Sequence, residues 1–197
     1  MNLNRATNNP HSILVIRLSS FGDILLTFPV LQSLRNTYPK AQIDVLAATT
    51  FSDVFLFLDQ LNINVLLFDK KKGFKEIKKF RRNLKENNYD VIIDLQNNIR
   101  TFFLTKFIPS KIYKYNKDRF RRFVFVKFKK KLISGRRVSE KYALPIKDIV
   151  KNQIPEKINL TIPDSMVNKL QQKYFFLSSQ SKKIIIYPGA KHFTKRW

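Results

Sequence analysis

The chain has 197 residues, 44% of them hydrophobic, no cysteine, and a formal charge of +24 from 38 Lys/Arg against 14 Asp/Glu. That length allows one full domain plus a fragment, and the lack of thiols excludes disulfides, cysteine nucleophiles and thiolate metal sites. No apolar run approaches the roughly 20 residues of a spanning helix, and the polar first twelve residues lack a signal-peptide core, so a soluble or peripheral protein is expected.

The first element expected is a buried strand at residues 13–17, from the continuous run Ile13, Leu14, Val15, Ile16. The chain turns at residues 18–22 and enters a helix over 23–37, because Ile24, Leu25, Phe28, Leu31 and Leu34 recur at helical spacing. Strands follow at 42–46, 64–68, 91–95 and 111–115, with helical stretches at 51–61, 74–87 and 99–107 between them. Strands separated by helix-length intervals predict an α/β fold with a mostly parallel sheet covered by helices on both faces.

Basic charge gathers in the middle of the chain, where residues 70–151 hold 26 Lys/Arg against 7 Asp/Glu. Such a field attracts polyanions, whether nucleic acid, anionic membrane or phosphorylated glycolipid, and a Lys-rich solvated surface gives the same count. Residues 118–132 mix phenylalanines with Arg and Lys, which suits a helix burying its aromatic face or a basic amphipathic surface on an anionic bilayer. Pro145, Pro155 and Pro163 mark residues 145–164 as a passage between domains, followed by a helix over 163–176 and a last strand at 183–187.

Asp23 is the leading candidate for chemistry. It stands just past the carboxyl end of a strand, where open α/β sheets hold ligands. A carboxylate in the first turn of a helix also caps it, and the orphan amides there keep it ionised. Ser19, Ser20 and Gly22 make the turn before it, and their hydroxyls and amides suit a sugar carboxylate or phosphate. Gln96, Asn97 and Arg100 lie in a second polar loop leaving the strand at 91–95, on the same rim, and Arg suits planar carboxylate or phosphate. Arg17, at a strand end, reads equally as an ion-pair partner and is left out of the site. There is no Asp-x-Asp and no P-loop pattern.

Three segments in order carry a family resemblance: residues 13–29, with the Ser-Ser-x-Gly-Asp turn; residues 90–101, Asp-Val-Ile-Ile-Asp-Leu-Gln-Asn-Asn-Ile-Arg-Thr; and residues 187–197, Tyr-Pro-Gly-Ala-Lys-His-Phe-Thr-Lys-Arg-Trp. Together they resemble the bacterial heptosyltransferases of lipopolysaccharide core synthesis, inverting ADP-heptose-dependent glycosyltransferases of GT-B fold. The resemblance implies Asp23 as the general base on the acceptor hydroxyl, and Ser19, Ser20, Gly22, Gln96, Asn97 and Arg100 as acceptor-binding residues. It implies Thr194 and Lys195 as contacts to the donor phosphates. Family members often have Gly where Asn97 stands, so this loop is expected to differ.

The domains expected on this basis are a polar extension at 1–12, a Rossmann-like acceptor-binding domain at 13–150, and a linker and helix at 151–182. The first strand and loop of a donor-binding domain follow at 183–197. In the family a further half, with most of the donor site, comes after this point, so a truncated or split enzyme without turnover of its own is expected. The resemblance implies ADP-heptose as donor, no metal or other cofactor, a lipid A–Kdo type glycolipid as acceptor, and an anionic membrane surface as partner. The place implied is the cytoplasmic, peripheral face of the inner membrane. Two other readings stay open from the sequence: a non-catalytic basic α/β domain binding nucleic acid or anionic membrane, and an inactive remnant of the enzyme. Nucleic acid is the less expected partner, since no base-stacking or base-reading motif is present.

Overall fold

The computed structural model describes residues 9–117, 127–128, 136–150, 160, 162–175, 182, 184, 186 and 189. Two compact units divide the chain, Met1–Thr161 and Ile162–Trp197. The first is built on five strands, β1 (Ser12–Ile16), β2 (Gln42–Ala48), β3 (Asn64–Phe68), β4 (Val91–Asp94) and β5 (Lys111–Lys114). All neighbours are parallel, in the order β3-β2-β1-β4-β5. The expected α/β class and parallel sheet are those observed.

The strands are rich in β-branched residues that pack on both faces of a covered sheet. Val15 pairs with Val45 on one side and Ile93 on the other. Ile13, Val15, Ile43, Val45, Val91 and Ile93 face one core layer, while Leu14, Ile16, Leu46 and Ile92 face the other. Helices cover both layers: α1 (Phe21–Leu25), α2 (Phe28–Thr37), α3 (Gly73–Glu86) and α4 (Ile99–Thr105). Helix α2 sets Leu31 and Leu34 on the first layer, and α3 sets Ile77, Phe80 and Leu84 on the second.

The single helix expected over 23–37 is two helices. Pro29 has no N–H and its ring clashes with the carbonyl four residues back, so the helix stops after Leu25. The chain restarts with Thr27 as N-cap and Pro29 in the first turn of α2. The expected helix over 51–61 is a 3-10 segment, Thr49–Leu61, with non-helical backbone at Phe51.

The passage expected at 145–164 begins later than its prolines suggest. Residues Val138–Ala143 form α5, and a 3-10 turn, Leu144–Ile146, follows it. Tyr142, Ile146, Ile149 and Val150 are buried in the first core layer, where the segment packs against β5 and α2. The Tyr38 hydroxyl donates to the Ile149 carbonyl and fixes this segment against the end of α2. The second unit contains α6 (Asp164–Lys173). Most of the strand expected at 183–187 and of the aromatic-basic stretch at 118–132 lies outside the described residues.

Candidate active site

Strand order reverses between β1 and β4, since the chain leaves β1 toward β2 and crosses from β3 to β4. At such a switch point the two following loops part and leave a crevice at the carboxyl ends of the strands. The loop after β1 carries residues Arg17 to Ser20 and leads into Asp23 in α1, and the loop after β4 carries residues Leu95 to Asn98. Both strands stay paired to the rim: Arg17 N–H donates to Leu46 O at 3.0 Å and Leu95 N–H to Ile16 O at 3.1 Å.

Asp23 sits in the first turn of α1 with its side chain 35% exposed. Its Oδ2 accepts from the Ser20 amide at 3.1 Å and the Ser20 hydroxyl at 3.0 Å, and meets Arg17 Nη2 at 2.7 Å. The other oxygen, Oδ1, accepts only the Tyr142 hydroxyl at 3.2 Å among the described residues. Burial pushes this carboxyl up, but the Ser20 amide, the Arg17 charge and the Ser20 hydroxyl together outweigh it and hold the pKa below the usual carboxylate value. The group is therefore ionised at neutral pH, with one oxygen saturated and the other turned to a proton.

Arg17 is the residue that sequence reasoning left out. Its side chain is buried, Nη1 donates to Leu95 O at 2.6 Å, and its guanidinium lies 5.0 Å from the centre of the Tyr142 ring. One side chain thus joins both loops and the carboxylate. Its place at the end of a buried strand, six residues before an Asp, was the available signal.

Gln96 is buried, and its Oε1 accepts from the Leu18 amide at 3.1 Å and the Ser19 amide at 3.2 Å. Its carbonyl oxygen positions the serine turn. The Asn97 side chain donates to Tyr115 O at 2.7 Å, tying the loop to the end of β5. Asn97 also takes a left-handed φ of 39°, which Asn and Gly tolerate better than other residues, so the departure from Gly is accommodated. Asp94 shapes this turn by accepting from the amides of Gln96 at 3.0 Å and Asn97 at 2.7 Å.

Arg100 follows in α4, half-buried. It shares the rim with Lys70, the first residue after Asp69 at the end of β3. Burial, then the charges of Arg100 and Arg17, lower the Lys70 pKa. Ser20 is exposed and Ser19 half-buried, while Gly22 has no atom within 4 Å of where a Cβ would stand. The face over Gly22 is open to an incoming group. Thr194 and Lys195 lie outside the described residues.

This geometry makes Arg17→Gln informative. It should cost about 2 kcal/mol in urea melts at pH 7, less than a fully buried pair because the carboxylate is partly exposed. The sign follows from a depressed carboxyl: its contribution is present above the unfolded pKa and fades as pH falls through the lower folded value. The difference between the two proteins should therefore shrink in strong acid.

Residues 77–197 match the profile of glycosyltransferase family 9 (heptosyltransferase). The lipopolysaccharide core heptosyltransferase OpsX of Haemophilus influenzae is 28% identical over 105 residues, which are 53% of this chain and 30% of that protein. Lipopolysaccharide heptosyltransferase 3 of Escherichia coli is 24% identical over 188 residues, 89% of this chain and 54% of that protein. Among solved structures, a glycosyl transferase family 9 protein from Veillonella parvula superposes with a TM-score of 0.73 at 22% identity, over 96% of this chain and 57% of that one. The chain thus spans about half the length of these relatives, or less.

Proposed function

The chain belongs to glycosyltransferase family 9, and from that premise we propose that it forms the acceptor side of an inverting heptosyltransferase that moves heptose from ADP-heptose to the lipopolysaccharide inner core. The observation that carries this reading is the partly exposed Asp23 carboxylate at the switch point, held ionised by Arg17 and Ser20 at Oδ2, with Oδ1 accepting from the Tyr142 hydroxyl. A glycosyl transfer of this kind needs a proton acceptor beside the attacking hydroxyl and positive charge beside the departing diphosphate.

In the proposed reaction, a hydroxyl of the acceptor sugar attacks the anomeric carbon of the heptose. Its proton passes to Asp23 Oδ1 as the new C–O bond forms. The anomeric C–O bond to the diphosphate breaks, and the electron pair leaves with ADP. Arg17 keeps Oδ2 occupied and fixes which oxygen takes the proton. Arg100 and Lys70 supply the positive edge for the carboxylate or phosphate groups of a glycolipid acceptor. Ser19, Ser20 and Gly22 give the acceptor its approach over α1. Thr194 and Lys195 are the proposed contacts to the donor phosphates.

The reading places the protein at the cytoplasmic face of the inner membrane, working on a lipid A–Kdo type acceptor without a metal. No helix among the described residues is long and apolar enough to cross a membrane.

The test is transfer itself. The chain, joined to the donor-binding half of a family relative, should add one heptose to heptose-deficient lipopolysaccharide when given ADP-heptose, read as a mass increase of the glycolipid. An active fusion that charges only a different acceptor or uses only a different nucleotide sugar would overturn the assignment. In that fusion Arg100→Ala should raise the KM for acceptor about tenfold, the loss of one charge-assisted contact, with kcat little changed.

A further inference from the structure

We infer that the exposed face of α3, together with the aromatic side chains of α4 beside it, is the surface by which the protein docks on an anionic lipid bilayer. The inference rests on the lipid-linked acceptor proposed above, which is presented from such a surface. Helix α3 buries Glu76, Ile77, Phe80 and Leu84 and turns Lys75, Lys78, Lys79, Arg82 and Lys85 outward. At 100° per residue these five cations fall on one stripe. The carboxylate on that stripe, Glu86, is held by Arg82 at 2.9 Å.

A solvated helix face accounts for lysines, but not for what lies next to them. A groove of about 840 Å³ runs from the α3 stripe to Lys106, Phe107 and Ile108 at the end of α4. Phe74 is 75% exposed, Ile99 77% and Phe107 79%. The aromatic residues form one connected set: Phe74 meets Phe103 at 6.0 Å, Phe103 meets Phe102 at 5.5 Å, and Lys106 Nζ lies 5.8 Å from the Phe102 ring and 4.8 Å from the Phe107 ring.

Phe107 is the most telling member. It holds a left-handed φ of 64°, which disfavours a bulky residue, and its ring is left in solvent. The fold gains nothing from a phenylalanine there, and strain of this kind points to function. Apolar rings flanked by ammonium groups match the boundary between lipid headgroups and acyl chains, where the ring inserts and the amine stays at the phosphates. An aliphatic side chain such as Ile99 has no use on a base-stacking surface, so a bilayer fits better than a nucleic acid. Helix α4 also begins at the loop that carries Gln96, which brings the docking face to the border of the candidate site.

The experiment is sedimentation of the whole chain with vesicles of phosphatidylglycerol and phosphatidylethanolamine in 0.1 M salt, with no glycolipid present. Neutralising Lys75, Lys78, Lys79, Arg82 and Lys85 to Gln should weaken binding about 10³–10⁴-fold, given about 1 kcal/mol for each basic residue near an anionic surface. Neutralising five other exposed lysines, Lys40, Lys127, Lys147, Lys169 and Lys173, should weaken it less than about tenfold. Phe74→Ser with Phe107→Asn should weaken vesicle binding about tenfold or more and leave binding to single-stranded RNA within about twofold, with thermal melting unchanged or raised because Asn tolerates the backbone at 107. Equal loss from both lysine sets would overturn the inference, as would absence of vesicle binding by the wild-type chain. So would an aromatic double variant that binds vesicles normally and loses RNA. Because the vesicles hold no acceptor, failure here leaves sugar transfer standing, and failure of transfer leaves docking standing.

Discussion

Asp23→Asn should lower the single-turnover rate of the completed enzyme by about 10²–10⁴-fold, the usual contribution of positioned proton transfer. The substitution keeps the shape of the side chain and an oxygen to accept from the Ser20 amide, so α1 keeps its cap. What disappears is the negative charge that faces Arg17 at 2.7 Å and the basic oxygen beside Tyr142. Losing the charge should lower stability by about 1–2 kcal/mol, since the carboxylate is partly exposed. Binding of acceptor should change little. A side chain with only a structural role would lose the same stability and keep its rate within a small factor of wild type. Melting curves beside rates separate the two roles.

Tyr142 should show the largest effect on stability. Its ring is fully buried in the first core layer, stands edge-on to Tyr115 at 4.9 Å, and carries the Arg17 guanidinium 5.0 Å from its centre. Truncation to alanine empties a ring-sized volume between α5 and the carboxyl ends of β1 and β5, and should cost about 3–5 kcal/mol. It also removes the surface that holds Arg17 and so loosens Asp23. Tyr142→Phe keeps the ring and the cation above it, and loses only the hydrogen bond to Asp23 Oδ1, about 1 kcal/mol. Burial raises the pKa of the phenol far above neutrality, so the hydroxyl is a donor throughout the working range. Urea unfolding of the two variants measures both; an alanine variant as stable as the phenylalanine one would remove Tyr142 from the core of the site.

The sheet was legible because its strands are short apolar runs rich in β-branched residues, each followed by helical spacing. The expected strand at 64–68 is β3, Asn64–Phe68, and the others end one residue early or run two residues further. Their outermost amides are still paired at Arg17, Leu95 and Tyr115. Helix boundaries were less legible where a single residue decided them. Pro29 divides α1 from α2 although the apolar spacing runs straight through it, a case in which a missing N–H outweighs periodicity.

The segment from Val138 to Val150 was hidden for another reason. Its Pro145 looks like linker punctuation, while its value lies in long-range packing of Tyr142, Ile146, Ile149 and Val150 that no local pattern displays. The rim was foreseeable in outline, since strand ends carrying Ser, Asp, Gln and Arg point to a ligand site in any open α/β sheet. The division of labour within it was not. Gln96 and Asn97 read from the sequence as acceptor contacts, yet Gln96 Oε1 and the Asn97 side-chain amide hold backbone groups of the two loops. Arg17, set aside as an ion-pair partner, is indeed one, and its partner is the candidate base.

In the proposed enzyme the acceptor binds at the carboxyl rim between β1 and β4. The most direct measurement is an amide and side-chain NMR titration of the chain with a solubilised, heptose-deficient lipid A–Kdo glycolipid. The largest shift changes should fall on Ser19, Ser20, Gly22, Asp23 and Arg100, and Arg100→Ala should abolish their saturation at the same concentrations. Changes confined to the far edge of the sheet, or a titration in which Asp23 and Arg100 stay unperturbed while the glycolipid binds, would contradict that placement.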